Sequence, residues 1–316
     1  SRDQDNRYQV TDDAYTCADS TKVSPQISGR VTAVLVKENQ PVRAGDLMLT
    51  IDDREYALQV ANAEALLESA KAAHASLHEK TVQQQSLITQ AEADVDADRA
   101  SLELARQEYD RYRKMAADGS GSRQRYQQAT SALKVAQANL ERDTAKHQAE
   151  LGQMTILKAD LRQAAALIEQ AEAALDLARL NLSYCRVAAP IDGVISQNSV
   201  RLGAYVRTGD ALFAVVPLQD IYITAYYRET QLANIKAGQP VTFTVDAFPD
   251  KTFTGSVLSL GPASNASFSS VAPHSTSSNF TKIVQRLPVR IAVTDKDANL
   301  LKVGMSVIPS VDTEAK

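Results

Sequence analysis

Two of the four histidines in this 316-residue sequence stand four residues apart, the spacing of a metal-binding pair on one face of a helix. They are His74 and His78, in the segment HASLH. Metalloprotease helices carry a glutamate directly after the first histidine, and this segment does not. No third ligand is apparent, so we interpret the pair as part of a solvated helix face and predict no metal site.

The other residues that could take part in catalysis are scattered. His147 and His274 are not accompanied by the Gly-x-Ser-x-Gly nucleophile elbow of hydrolases. Asp52 and Asp53 are adjacent, and neighbouring side chains at a strand end point apart, so helix capping is a better interpretation than a pair of catalytic carboxylates. The glycine spacing of Walker and dinucleotide-binding loops is missing as well. The sequence therefore predicts a protein that is not an enzyme and holds no cofactor.

Two cysteines, Cys17 and Cys185, are the remaining reactive side chains. They lie far apart and form no Cys-x-x-Cys motif, which excludes a zinc knuckle and a thioredoxin-type redox site. Each falls near a predicted domain junction, and the sequence leaves open whether the two form a disulfide bond.

Charge and composition narrow the class of protein further. The formal net charge is −4 and the pI about 5.7, and no basic run indicates a nucleic-acid surface. Aromatic residues make up only 5% of the chain, which is low for one large globular core. No apolar run approaches the ~20 residues of a membrane span. The abrupt polar start, SRDQDNRYQV, is also what remains when a targeting or anchor segment has been removed, so the native protein can still have one.

Proline positions divide the chain into regions. All ten prolines lie outside residues 42–189. Because a proline inside a helix costs about 3 kcal/mol, this long proline-free run predicts continuous helix. The breaker cluster AADGSGSRQ, with Gly119 and Gly121, interrupts the run near its centre. Two arms of similar length, 55–117 and 122–184, therefore predict an antiparallel helical hairpin about 90 Å long.

The second arm carries a coiled-coil seam. Apolar residues recur there at alternating spacings of three and four, the pattern of helices that pack side by side. We expect Leu161, Ile168 and Leu175 to face the first arm and to be largely buried. The full series is Met154, Leu157, Leu161, Ala164, Ile168, Ala171, Leu175, Ala178 and Leu182.

The first arm has a weaker version of the same pattern. Lys80, Gln84 and Asp98 interrupt it, so we expect looser packing or contacts with a neighbouring subunit there. Its apolar residues are Leu66, Ala70, Ala73, Leu77, Leu87, Ala91, Val95, Leu102, Ala105, Tyr109 and Tyr112.

Two stretches that flank the helical region are related to each other. The first, GRVTAVLVKENQPVRAG, runs between glycines sixteen residues apart, and the second repeats this spacing from Gly193 to Gly209. Each resembles half of a lipoyl or biotinyl carrier domain, but DDREY stands where the carrier lysine belongs. Neither half can bury a core alone. We therefore predict one β-sandwich built from both, with contacts from Val31 or Val36 to the segment 194–215.

From residue 218 onward the sequence changes to short alternating strands. Turn clusters such as KAGQ and FPDK separate them, which is typical of a small antiparallel β-barrel. RETQLANI (228–235) predicts one short helix, and the serine-rich segment 261–279 predicts a long loop. We expect RYQVTDDAY (7–15) to add a strand to the barrel, because the chain must run past it to reach the sandwich.

Together these patterns predict an elongated, multidomain α+β protein. A long antiparallel α-helical coiled-coil hairpin is inserted in a split lipoyl-like β-sandwich, and a small antiparallel β-barrel follows. The predicted domains are an N-terminal segment, 1–21; the sandwich, 22–54 and 185–217; the hairpin, 55–184, with its tip near 117–122; and the barrel, 218–316.

This combination resembles the periplasmic adaptors, or membrane fusion proteins, of the HlyD superfamily, over nearly the whole chain from Val10 onward. YRETQLANIKAGQPV (227–241) and KIVQRLPVRI (282–291) are similar to the EmrA-type branch, which serves drug transporters of the major facilitator superfamily. The resemblance implies a periplasmic adaptor of a tripartite multidrug efflux pump, without catalytic activity. Its partners would be an inner-membrane major-facilitator transporter and an outer-membrane TolC-type channel. It also implies a homo-oligomer, commonly a hexamer, and an N-terminal inner-membrane helix absent from this chain.

The resemblance further implies a docking site at the hairpin tip. Many adaptors carry an Arg-x3-Leu-x6-Ser pattern there, which contacts the outer-membrane channel. Arg111, Met115 and Ser122 occupy this spacing in RYRKMAADGSGS, with methionine in place of leucine. We predict that these three residues dock the channel. The simpler alternative is a turn in which Gly119 and Gly121 only close the loop.

Three other functions fit parts of the sequence. An adaptor of a type I secretion system, in which an ABC transporter exports a protein or peptide, belongs to the same superfamily. A lipoyl carrier would need a lysine within 52–56, where none occurs. A purely structural coiled-coil protein would not need a split sandwich. The multidrug efflux adaptor is therefore the predicted function, and the type I secretion adaptor is the alternative.

Overall fold

The computed structural model describes residues 6–217, 220–261 and 285–315, which fall into two compact units. One unit is Asp53–Ser183, and the other combines the segments that end at Asp52 and restart at Tyr184. The serine-rich segment beyond Gly261, His274 and the start of the KIVQRLPVRI string lie outside the described residues.

The first unit is a hairpin of two helices. Helix α1 (Arg54–Ala117) has 64 residues and α2 (Arg123–Ser183) has 61. At 1.5 Å per residue each helix is about 90–95 Å long. Glu55 in the first turn of α1 and Lys114 in its last turn both complement the helix dipole. The predicted antiparallel hairpin is confirmed.

Helix α2 packs its predicted seam against α1. Leu175 is 5% exposed and packs with Ala63 and Leu67 of α1. Ile168 packs against the same cluster and is half-buried, as is Leu161. The buried residues of α2 belong to the predicted series or continue it toward the tip: Ala129, Ala136, Leu157, Ala164, Leu175 and Ala178.

In α1 the predicted seam is wrong at three positions. Leu66, Ala73 and Leu87 are exposed. Alanine and leucine occur on several sides of α1, so apolar character alone does not fix which side is buried. The buried and half-buried positions form an unbroken series with spacings of three and four: Ala63, Leu67, Ala70, His74, Leu77, Thr81, Gln84, Ile88, Ala91, Val95, Asp98, Leu102, Ala105, Tyr109 and Tyr112.

Polar residues that should interrupt the seam are therefore part of it. Gln84 is 5% exposed, and its Nε2 donates hydrogen bonds to the carbonyl oxygen and to Oε2 of Glu150 at 2.9 and 2.6 Å. These bonds offset the cost of burying the amide. His74 is half-buried in the seam whereas His78 is exposed, so the two histidines do not share a solvated face.

A second polar contact in the seam joins two carboxyl groups, Asp98 of α1 and Asp143 of α2. Among the described residues, the Oδ2 atom of Asp98 is buried without a hydrogen-bond partner, and the neighbouring Asp143 carboxyl group raises the pKa of Asp98. Hydrogen bonds from Arg142 and from Asp98 lower the pKa of Asp143, because both favour its ionised form. The contact between the two carboxyl groups is therefore most favourable when Asp98 is protonated and Asp143 is ionised.

We expect Asp98→Asn to raise the melting temperature at neutral pH. The amide donates to Asp143 at every pH, whereas native Asp98 loses its proton, and the stability that depends on it, as the pH rises through its raised pKa. The gain should shrink as the pH falls toward 3.8, the ordinary value for Asp. Circular-dichroism melts at several pH values test this. Asp96→Asn, at a side chain 69% exposed, is the control that should leave the melting temperature unchanged.

The second unit is built from strands, which we number in chain order together with one short helix, α3 (Glu229–Leu232). The strands are β1 (Tyr8–Val10), β2 (Ala14–Cys17), β3 (Thr21–Val23), β4 (Gly29–Val34), β5 (Pro41–Val42), β6 (Leu47–Ile51), β7 (Arg186–Ala188), β8 (Gly193–Asn198), β9 (Tyr205–Val206), β10 (Phe213–Val216), β11 (Tyr222–Arg228), β12 (Pro240–Val245), β13 (Phe248–Leu260), β14 (Arg286–Val293) and β15 (Val307–Asp312).

Two four-stranded antiparallel sheets combine the segments before and after the hairpin. Their strand orders are β3-β10-β8-β5 and β7-β6-β4-β9. The expected contacts are present: the Val31 N–H donates to the Ala204 carbonyl at 2.8 Å, and Asn198 Nδ2 donates to the Val36 carbonyl at 3.3 Å. Gly193 is required in β8, because an added Cβ would lie 2.3 Å from the Val216 carbonyl oxygen.

A seven-stranded antiparallel sheet, in the order β1-β15-β12-β13-β14-β11-β2, forms the rest of this unit. The Thr16 N–H donates to the Met305 carbonyl and the Gly304 N–H to the Thr16 carbonyl, both at 2.9 Å, so the sheet curls until β2 meets the segment before β15. Buried aromatic side chains fill its interior, and Phe243 stacks on Phe253 at 5.4 Å. The N-terminal segment contributes two strands to this sheet.

Candidate functional site

Five residues, 118–122, join the two helices at the hairpin tip. The N–H groups of Ser120 and Gly121 both donate to the Met115 carbonyl at 3.0 Å, which closes the end of α1. Gly119 has a φ of +82°, a left-handed conformation that glycine adopts without steric cost after a helix. A Cβ on Gly121 would lie 2.8 Å from the Cβ of Met115, so this close return of the chain requires glycine.

Asp118 orders the loop from its position at the end of α1. Its Oδ1 accepts hydrogen bonds from the Ser120 N–H at 3.1 Å and from the Ser120 hydroxyl. Both bonds lower the pKa of Asp118, because they favour the carboxylate. The loop is thus held by its own side chains and presents a fixed, ionised carboxylate.

Ser122 begins the second arm as the N-cap of α2. Its Oγ accepts hydrogen bonds from the N–H groups of Gln124 at 3.2 Å and Arg125 at 3.4 Å. These amides would otherwise lack a partner in the first turn of the helix. Ser122 therefore stabilises the start of α2 as a helix cap.

Ser122→Ala should lower the free energy of unfolding by about 1 kcal/mol, because it removes the N-cap acceptor. Ser122→Asp keeps an acceptor and a favourable charge at the helix N-terminus, so its stability should match the native chain. Urea unfolding followed by circular dichroism measures both. Equal loss in the two variants would show that capping is not what Ser122 contributes.

Arg111 and Met115 lie one turn apart near the end of α1. Arg111 is exposed, and its Cζ atom stands 5.1 Å from the ring centroid of Tyr112, a cation–π contact that orients the guanidinium. Met115 is half-buried, and its carbonyl is used to close the loop. Of the three predicted docking residues, Arg111 and Met115 therefore share one helix surface, whereas Ser122 starts the other arm with its hydroxyl engaged in capping.

The tip is also strongly basic, a feature that our sequence analysis missed. Between residues 111 and 125 five basic side chains oppose one acidic side chain, Asp118, which gives a local net charge of +4 (five minus one) in a chain of −4. The signal is visible in the strings RYRK and RQR, which flank the turn. The basic residues are all exposed: Arg111, Arg113, Lys114, Arg123 and Arg125. A concentration of positive charge at a protruding end attracts an acidic partner surface.

Tyr109 and Tyr126 connect the two arms behind the loop. Their rings stack at 5.8 Å with an interplanar angle of 30°, and the hydrogen bond to Tyr126 raises the pKa of Tyr109. An aromatic pair of this kind adds to the stability that its buried area provides. It fixes the spacing of the arms from which the basic side chains project.

Other kinds of site receive no support from the described residues. None of their His, Cys, Asp and Glu side chains form a group of three or more that could hold a metal ion. In residues 6–217, 220–261 and 285–315, no helix combines the length and the apolar character that a membrane crossing requires. Cys17 and Cys185 do not form a disulfide bond with each other; the first is half-buried and the second buried.

Two models of known protein families match this chain. Residues 19–218 match the family model of the RND MFP (membrane fusion protein) barrel-sandwich hybrid domain, and residues 221–311 match that of the YknX-like beta-barrel domain. The first match spans both sandwich segments and the hairpin between them. The chain belongs to the membrane fusion protein family.

Curated relatives of this membrane fusion protein extend over almost all of its length. The colistin resistance protein EmrA of Acinetobacter baumannii is 35% identical over 96% of this chain and 87% of its own. The multidrug export protein EmrA of Escherichia coli strain K12 is 33% identical over 97% of this chain and 77% of its own. The crystal structure of MacA from Actinobacillus actinomycetemcomitans, at 22% identity and a TM-score of 0.54, has the same fold over 96% of this chain and 80% of its own.

Membership in the family confirms two predictions. The membrane fusion protein architecture agrees with the predicted α+β fold with an inserted hairpin. Membrane fusion proteins are adaptors rather than enzymes, so the predicted lack of catalytic activity is also confirmed. The docking role of Arg111, Met115 and Ser122 stays a prediction.

Proposed function

We propose that this membrane fusion protein is the periplasmic adaptor of a tripartite multidrug efflux pump. It links an inner-membrane drug exporter of the major facilitator superfamily to an outer-membrane channel of the TolC type. It is anchored at the inner membrane and works as a homo-oligomer, which we expect to be a hexamer. Similarity over almost the whole chain to proteins named for multidrug export and colistin resistance supports this assignment.

One observation carries the proposed contact with the channel: the hairpin ends in an exposed basic tip. The two arms, about 90 Å long, keep five cationic side chains at one end of the helical unit. A partner with acidic side chains around a central opening would match this charge. Arg111 adds a forked donor that can bind a carboxylate or two carbonyl oxygens, and Met115 adds a flexible apolar contact.

In the proposed mechanism the adaptor acts by holding the exporter and the channel in position. The Tyr109–Tyr126 stack and the capped loop fix the tip without any bound ligand, so docking does not need to order this region first. Charge attraction increases the rate of encounter with the channel, and the apolar contact and the Arg111 fork slow dissociation. The adaptor therefore determines where the exporter and channel meet, while the transporter moves the drug.

Co-purification of the native full-length protein from its own membranes tests this function. After gentle cross-linking, mass spectrometry should identify a major-facilitator transporter and a TolC-type channel with the tagged adaptor. A soluble periplasmic protein carrying the same tag is the control for non-specific capture. Recovery of an ABC transporter with a protein or peptide substrate would contradict the proposal and favour the type I secretion adaptor.

A further inference from the structure

The hairpin has two long sides that differ in chemistry. The seam repeats every seven residues, so side chains separated by multiples of seven project from the same side of their helix. Ser101 and Leu104 of α1 share a groove with Ala132 and Val135 of α2, which defines one side. Leu66 and Leu87 share the heptad position of Ser101, Leu167 shares that of Ala132, and Ile156 and Leu177 share that of Val135.

We call this side the leucine face. It carries seven of the exposed large apolar side chains of the hairpin: Leu66, Leu87, Leu104, Val135, Ile156, Leu167 and Leu177, which are 46 to 59% exposed. The opposite side, the charged face, includes the ion pair of Glu64 with Arg179 at 3.5 Å and the pair of Asp96 with Arg99. Val82 and Leu151 are its exposed large apolar residues.

Six of the seven side chains form three patches along the hairpin, and the seventh, Leu167, lies between the first patch and the second. Packing of Leu67 with Leu175, and of Ala105 with Ala136, fixes the antiparallel register of the two arms. In this register Leu66 is level with Leu177, Leu87 with Ile156, and Leu104 with Val135. Leu104 and Val135 line a groove of about 570 Å³ between the helices. Each patch therefore contains an apolar residue from each arm.

Charged side chains between the patches come in opposite pairs. Lys80 of α1 is level with Asp160 of α2, and Asp94 of α1 is level with Lys146 of α2. Asp94 acts electrostatically on Arg142, and Lys146 on Asp143, which places both near the middle of the seam. The leucine face thus carries two opposite charge pairs between its apolar patches, together with Glu108 beside the groove and Arg142, which pairs with Asp143.

We propose that two copies of the chain pair through their leucine faces, with the hairpins parallel and a two-fold axis running along them. Such an axis places α1 of one copy opposite α2 of the other at the same level. Each apolar patch then meets its own copy, Lys80 meets Asp160 of the other copy, and Asp94 meets Lys146 of the other copy. The face is therefore complementary to itself in both charge and apolar character.

The surface available is large enough for this contact. Each of the seven side chains offers roughly 50–100 Å² of apolar surface, and together with flanking alanines they approach the ~800 Å² per partner of a standard interface. The charged face is a poor cover for it, because packing the Glu64–Arg179 and Asp96–Arg99 pairs against leucine would remove them from water.

This inference goes beyond the adaptor role, because it describes the isolated chain whatever it connects. A two-fold pair is closed and buries the leucine face completely. A head-to-tail ring of subunits brings two different surfaces of each subunit together, so the leucine face cannot meet its own copy there. The pair is therefore a form of the free adaptor that must separate before a six-membered ring can close.

Sedimentation velocity of the full 316-residue chain, from about 1 to 100 μM, tests the pairing. We expect a monomer–dimer equilibrium. Leu87→Asp should raise the dimer dissociation constant about a hundredfold, because it places a charge in a central apolar patch. Leu151→Asp, at a side chain 40% exposed on the charged face against 46% for Leu87, is the matched control and should change nothing.

Reversing the charge of Lys80 in one variant and of Asp160 in another distinguishes a contact between two copies from an effect within one chain. Lys80→Asp and Asp160→Lys should each weaken the dimer about tenfold, because each sets like charges opposite one another. An equimolar mixture of the two variants should restore native affinity, since opposite charges again meet between copies. A contact inside one chain cannot be repaired by mixing.

Four results would overturn the pairing. They are a chain that stays monomeric at the highest concentration, a larger ring as the main species, a dimer that Leu87→Asp leaves intact, and variants that mixing does not rescue. Flotation with phosphatidylglycerol vesicles provides a further check. Flotation that depends on Leu87, in a chain that does not dimerise, would assign the leucine face to lipid and overturn the proposal as well.

Discussion

Drug resistance should fall to the level of a strain without the adaptor when Arg111→Asp and Met115→Asp are combined in the native full-length protein. Arg111→Asp lowers the tip charge by two and removes the forked donor, and Met115→Asp puts a second carboxylate where an apolar contact is expected. Minimum inhibitory concentrations of exported drugs, measured in a deletion strain that carries each variant, provide the test. We expect Arg111→Asp alone to cause most of the loss.

The control for this experiment is Arg99→Asp, a charge reversal on the same helix at a side chain 68% exposed but distant from the tip in sequence. It should leave resistance unchanged. Co-purification should then show that the double variant retains the inner-membrane transporter and loses the outer-membrane channel. Full resistance in the double variant at normal expression would rule out docking through these side chains, and would leave the backbone or other basic residues of the tip.

A second large effect is expected from Leu175→Asp. Leu175 is 5% exposed and packs with Ala63 and Leu67, so the substitution removes an apolar side chain and buries an unpaired charge between the helices. The loss of stability should be about 3 kcal/mol or more. Leu180→Asp, at a side chain 47% exposed in the same helix, should change the stability of the chain little.

Urea unfolding followed by circular dichroism at 222 nm reports mainly on the long helices, and so on this pair of variants. Leu175→Asp should move the midpoint to lower urea, with Leu180→Asp close to the native curve. If the two curves coincide, Leu175 is not part of a buried seam, and the antiparallel register deduced from it is wrong.

Much of the fold could be predicted because long elements leave strong signals. The absence of proline from residues 42–189 and the breaker at Gly119 and Gly121 define both arms and their turn. The repeated glycine spacing revealed that two segments far apart in sequence pair in one sandwich. In α2 the seam could be identified because leucine, isoleucine and alanine keep one phase over many turns.

The seam of α1 could not be read in the same way. Its buried side includes Gln84, which donates to Glu150 of the other arm, and Asp98, which faces Asp143 of the other arm. Such partners are far away in sequence, and no single-helix pattern reveals them. Because Leu66 and Leu87 are apolar, they were predicted to face α2, but both are exposed. They belong instead to the leucine face.

At the tip, the capping role of Ser122 could be predicted because it depends on neighbours in sequence. The concentration of positive charge at the tip is also visible in the sequence, since all five basic residues lie within fifteen positions. The tip sequence does not specify its partner, because complementarity in charge and shape depends on the surfaces of both molecules.

Insertion of the hairpin also sets the timing with which the chain acquires structure during its synthesis. Strand β4 begins at Gly29, and its edge partner β9 begins only at Tyr205. At a synthesis rate of about 5–20 residues per second, the first sandwich segment exists for roughly 10–30 s before its partner is made. During this interval β4 and β6 lack both of their neighbours in the sheet, β7 and β9, so their edges are open to wrong pairing. A longer hairpin therefore lengthens the time for which these edges stay open.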